Sequence, residues 1–124
     1  MRVLILADSC NPDWPSLPVV GYKAVKALSY HVDVVLATHV RNRPAIEAQG
    51  GCGQAEIHYI DNEAIAKPMY ALSKFLRGGN DVGWTTHIAT IYPSYLAFER
   101  EVWKKFRHEL KTKKFDIVHR ITPM

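Results

Sequence analysis

Arg2-Val3-Leu4-Ile5-Leu6-Ala7, followed at once by Asp8-Ser9-Cys10-Asn11-Pro12, is the stretch that decides the fold. Val3 to Ala7 is unbroken apolar sequence, and it stops abruptly on turn-forming residues. A short run of that kind is the pattern of a strand buried on both faces. A helical pattern takes over from about Leu17, so the unit is strand, long loop, helix. In a parallel α/β sheet such a first loop lies at the carboxyl ends of the strands, where ligands bind. Leu17, Val20, Ala24, Ala27 and Leu28 recur at three- and four-residue steps, which predicts one apolar helical face. Ser16, two residues ahead of Pro18, is placed to cap the helix entry.

Working outward, His31 to Thr38 is a second β-branched run, with Val32, Val34, Val35, Leu36 and Ala37, separated from the helix by a turn of two or three residues. Arg41 to Gly53 predicts one or two helical turns, and Glu56 to Ile60 a shorter third strand. Asn62 is an N-cap candidate for a helix through Ile65, Met69, Leu72, Phe75 and Leu76, stopped by Gly78-Gly79-Asn80. Asp81 to Ala89 fits a loop or a helix start. From about Pro93 to Lys113 runs the longest helical pattern, and Phe115 to Ile121 is another strand. The expected fold class is α/β: a Rossmann-like parallel sheet with flanking helices. The strand at the end of residues 1–124 has no helix after it to cover it, so a truncated domain is expected.

With 124 residues the chain holds one domain. The net charge of +4 and the pI of about 9.1 permit an anionic partner without demanding one. Cys10 and Cys52 cannot make a disulfide framework in a chain of this length, and there is no Cys-x-x-Cys pair. No apolar stretch approaches the roughly 18 residues of a membrane span. A soluble protein in a reducing cytoplasm is the expectation. His31, His39, His58, His87, His108 and His119 are scattered without metal-site spacing, so no metal is expected. There is no Gly-x-Gly-x-x-Gly, hence no dinucleotide fingerprint.

Three segments together resemble the sugar-nucleotide glycosyltransferases of the group 1, family four type. They are Met1-Arg-Val-Leu-Ile-Leu-Ala-Asp-Ser; Gly21-Tyr-Lys-Ala-Val-Lys-Ala-Leu with His31-Val-Asp-Val-Val-Leu-Ala-Thr-His; and Phe115-Asp-Ile-Val-His-Arg-Ile-Thr-Pro. The resemblance implies the amino-terminal, acceptor-side domain of a GT-B architecture. It implies sugar transfer from a nucleotide-sugar co-substrate, with retention, to a sugar or lipid-linked acceptor. No further cofactor is implied. The partner carboxy-terminal domain would carry the donor, so this chain is expected to be inactive alone. By the same resemblance His119 is the catalytic candidate, since an imidazole exchanges protons near neutral pH. Asp8, Ser9 and Gly21 are substrate-binding candidates in the first loop, where Pro18-Val19-Val20-Gly21 replaces the family's Gly-Gly pair. Arg120 and Thr122 flank His119, and an Arg there suits a phosphate.

Lys104, Lys105, Arg107, Lys111, Lys113 and Lys114 form a basic run interleaved with Trp103, Phe106 and Phe115. Trp103, Phe106 and Leu110 are predicted to share a core face with the lysines turned outward. The same run suits peripheral contact of the 100–114 helix with anionic lipid on the inner face of a membrane. No nucleic-acid motif accompanies it. The alternative function is a non-catalytic, flavodoxin-like ligand-binding or signalling module.

Overall fold

The computed structural model describes residues 1–61, 67–68, 71–72, 75 and 84–121, the side chains of 84–91 apart. The expected helix from Asn62, its Gly78-Gly79-Asn80 stop and Thr122 therefore fall largely or wholly outside the described residues. The described elements run β1 (Arg2–Ala7), α1 (Leu17–Leu28), β2 (Asp33–His39), a 3-10 turn (Val40–Asn42), α2 (Arg43–Ala48), β3 (Glu56–Ile60), α3 (Trp84–Lys111) and β4 (Ile117–Ile121). All strand pairs are parallel, in the order β3-β2-β1-β4. The fold is α/β and Rossmann-like. In the flavodoxin-like order β3 would lie beside β1; here β1 is flanked by β2 and β4.

Each apolar strand feeds two cores because its side chains alternate between faces. On one face Val3, Ile5 and Ala7 of β1 and Val34 and Leu36 of β2 pack against Tyr22 and Val25 of α1 and Ile46 of α2. On the other, Leu4, Val35, Ala37 and Ile60 pack against Tyr95, Phe98, Val102 and Phe106 of α3. At the amino ends of the strands, Arg2 pairs with Asp33 at 3.4 Å and Glu56 at 3.7 Å, and its guanidinium lies over Phe115.

Four local expectations are corrected. Ser16 makes no side-chain cap bond and takes φ 69°, ψ −134° instead. The stripe Leu17, Val20, Ala24, Ala27 and Leu28 is exposed, and α1 buries Gly21, Tyr22 and Val25. At Gly21 a Cβ would stand at ordinary packing distance, 3.5 Å from the Ser9 carbonyl oxygen and 3.8 Å from Ile121 Cγ2. The Tyr22 hydroxyl then locks the helix by donating to the Gly51 carbonyl at 2.8 Å. On α3, Phe106 is buried and Leu110 half-buried, but Trp103 and Leu96 lie outside the core. The helix begins at Trp84, with Pro93 inside it rather than at its start.

Candidate functional site

The sheet reverses its strand order between β1 and β4, and the crevice outside the carboxyl ends of those strands is where open α/β sheets hold ligands. The pairing Ala7↔Thr38 sets the next residues of the two strands, Asp8 and His39, side by side at that edge. Asp8 is half-buried. Desolvation raises its pKa, and the charges of His39 and then Arg41 oppose that rise. His39 is buried at the last position of β2, and its Nδ1 accepts from the Arg41 backbone N–H at 3.0 Å. In the neutral ring that bond places the proton on Nε2.

A buried amide network holds this edge in shape. Asn42 Nδ2 donates to the Asp8 carbonyl at 2.9 Å and to Thr38 Oγ1 at 3.0 Å. Its Oδ1 accepts from Asn11 Nδ2 at 3.2 Å. Asn11 Oδ1 in turn accepts from the Asp13 backbone N–H at 2.9 Å, and the Asn11 backbone N–H donates to the Pro18 carbonyl at 3.1 Å. The long first loop is thereby tied to the end of β2 and to the start of α1.

From the α3 side come Tyr95, Glu99 and Arg120. Arg120 Nη1 donates to Glu99 Oε1 at 2.6 Å, and its guanidinium lies 5.7 Å from the centre of the Tyr95 ring. The Tyr95 hydroxyl is buried beside the Glu99 carboxylate, which draws on its proton as a hydrogen-bond acceptor, and Asp8 acts on it electrostatically from further off. Desolvation, followed by Glu99, pushes its pKa up to about 12, so it remains a donor at neutral pH.

The expected site residues divide. Asp8 and Arg120 reach the same end of the sheet and both act on Tyr95. Ser9 offers its carbonyl to the underside of α1, and Gly21 is built into that helix, one turn past its start. His119 pairs with Ile5, two residues short of the end of β4, and is exposed on the face that carries α1, opposite Arg120. The sequence reading did not single out His39, Arg41, Tyr95 or Glu99. A polar residue directly after an apolar strand, as at Asp8, and one closing the neighbouring strand, as at His39, is the signal that points to the first pair.

Across the set there are two carboxylates, Asp8 with a raised pKa and Glu99 paired with Arg120, together with one imidazole, two guanidinium groups and one phenol. It can accept from hydroxyls at Asp8, donate from Tyr95, and neutralise an anion at Arg41 and Arg120. Among the described residues, no group of three or more His, Cys, Asp or Glu is placed to hold a metal ion, and no helix is long and apolar enough to cross a membrane. In comparisons with known proteins, no family model, no curated protein and no solved structure matches this chain.

Proposed function

We propose that residues 1–124 form the acceptor-side, amino-terminal part of a retaining glycosyltransferase that draws on a nucleotide-sugar donor. The observation that supports this reading is the cluster of Asp8, Tyr95, Glu99 and Arg120, with Tyr95 buried, at the point where the strand order reverses. Sugars present many hydroxyls that both donate and accept, and they are held by carboxylates, phenols and guanidinium groups placed together. Asp8 accepts from a sugar hydroxyl, Tyr95 donates to one, and Arg41 and Arg120 face phosphate oxygens of a donor or a phosphorylated acceptor. His119 is the remaining proton-transfer candidate, on the α1 side of β4. A carboxy-terminal domain supplies the donor nucleotide in this reading, so these residues bind sugar without turning it over. The two buried free thiols, Cys10 and Cys52, suit a reducing cytoplasm.

Titration of the 15N-labelled protein with free pyranosides, sugar phosphates and nucleotide sugars tests the proposal. Amide shifts of Asp8, Arg41, Tyr95 and Arg120 are expected to move together with one of these ligand classes. Asp8→Asn and Arg120→Ala are each expected to weaken binding by about tenfold or more, the scale of a lost charge-assisted hydrogen bond. Absence of shifts at all four positions with every class refutes the reading.

A further inference from the structure

The geometry points to the outer face of α3 as a docking surface for an anionic lipid membrane. Two rows of side chains run side by side on that face. Tyr92, Leu96 and Trp103 form an apolar ridge, 52%, 46% and 49% exposed. Beside it Arg100, Lys104, Arg107 and Lys111, at steps of four, three and four residues, form a row of exposed cations. That row extends about 16 Å along the helix. Among the described residues, the core contacts of α3 come from a different stripe, Tyr95, Phe98, Val102 and Phe106, and the ridge and the cations lie on the exposed side.

Charge complementarity selects the occupant. From Arg100 to Lys114 lie seven of the chain's sixteen Lys and Arg residues (Arg100, Lys104, Lys105, Arg107, Lys111, Lys113, Lys114) against two carboxylates, Glu101 and Glu109. The whole chain carries only +4, so the rest of it is close to neutral. Helices that lie in a membrane interface combine an apolar stripe containing Trp or Leu with flanking Lys and Arg that reach the anionic head groups. Nucleic-acid backbones recruit cations but gain little from an exposed Leu96. Tyr92, at the amino end of the ridge, acts electrostatically on Arg120, so docking would seat the Asp8–Tyr95–Arg120 crevice next to the lipid surface. The surface rests on α3 alone and stands whether or not the crevice binds sugar.

Co-sedimentation with vesicles tests it, using equal parts phosphatidylcholine and phosphatidylserine, with pure phosphatidylcholine and polyuridylate as comparisons. The full chain is expected to sediment with the anionic vesicles alone and to be released by salt. R100A/R107A is expected to weaken binding by about thirtyfold, roughly fivefold per cation. In a W14F/W84F background, Trp103 emission is expected to shift to the blue on anionic vesicles only. These variants are checked for folding by circular dichroism. Equal sedimentation with both vesicle types, sedimentation with neither, unshifted Trp103 emission, or binding to polyuridylate in place of vesicles each overturns the assignment.

Discussion

Replacing Asn42 by alanine removes one side chain and breaks three hydrogen bonds: Nδ2 to the Asp8 carbonyl at 2.9 Å, Nδ2 to Thr38 Oγ1 at 3.0 Å, and Asn11 Nδ2 to Oδ1 at 3.2 Å. Asn11, Thr38 and Asn42 are all buried, so the released groups do not regain bulk water. Each net bond contributes about 1 kcal/mol, and a stranded buried partner costs more. The expected loss for N42A is about 3 kcal/mol, a large share of the roughly 5–15 kcal/mol that a domain has. Urea unfolding followed by circular dichroism reads it as a midpoint lowered by about 1.5 M at unchanged slope, for a slope near 2 kcal/mol/M. Asn11→Ala in the same background is expected to cost about 1 kcal/mol less than it does alone, because its bond to Asn42 is already gone. A loss below about 1 kcal/mol, or additivity of the two substitutions, would refute the assignment of Asn42 as the tie between the first loop and β2.

Other positions give independent tests. Ser16→Gly is expected to stabilise the chain by about 1 kcal/mol, since φ 69°, ψ −134° is a glycine conformation, and a lower melting temperature would contradict this. Gly53→Ala is expected to cost about 3 kcal/mol: φ is +62°, and the new Cβ would stand 2.3 Å from Ser29 Oγ and 3.0 Å from the Lys26 carbonyl. That clash displaces a hydroxyl that donates to Lys26 O at 2.7 Å and accepts from the Gln54 backbone N–H at 2.9 Å; thermal unfolding of the variant measures the loss. Asp8 has a raised folded pKa, so its native state holds the proton more tightly than the unfolded chain does. Its contribution to stability therefore falls as pH rises from its ordinary value, 3.8, through the folded pKa. Asp8→Asn is accordingly expected to gain stability over the parent protein from acid to neutral pH while losing ligand binding. A stability difference that does not change with pH would count against this assignment.

β1 and β2 are legible from residue types because strands buried on both faces become continuous apolar runs, and β3 follows from its alternation. The working face of α1 is not legible in this way. The helix carries two apolar stripes, and the one that faces the sheet runs through Gly21, Tyr22 and Val25, anchored by the Tyr22 hydroxyl on the Gly51 carbonyl. Periodicity weights a glycine at nothing. The same blindness hides half of the crevice: Asp8 can be found as the first polar residue after a strand, but His39 joins it only through the β1–β2 register. Tyr95 looks like any core aromatic until its hydroxyl is seen beside Glu99 and its ring beneath Arg120. Trp103 is misassigned for the converse reason, since its neighbours Val102 and Phe106 do enter the core.

The central position of β1 also orders events in time. Its pairing with β2 joins Arg2 to Asp33, whereas on its other side the Arg2 backbone N–H donates to Asp116, 114 residues away along the chain. Closing the longer loop costs about 1 kcal/mol more in chain entropy. The β1–α1–β2 unit, with Asp8, His39 and Arg41, is thus the early and more persistent half. β4, an edge strand exposed along most of its length, joins last and leaves first. Arg120 goes with it, so a local opening that detaches one strand dismantles the crevice while the rest of the sheet stays folded. Amide exchange should therefore be faster in β4 than in β2, and ligand that bridges Asp8 and Arg120 should slow it.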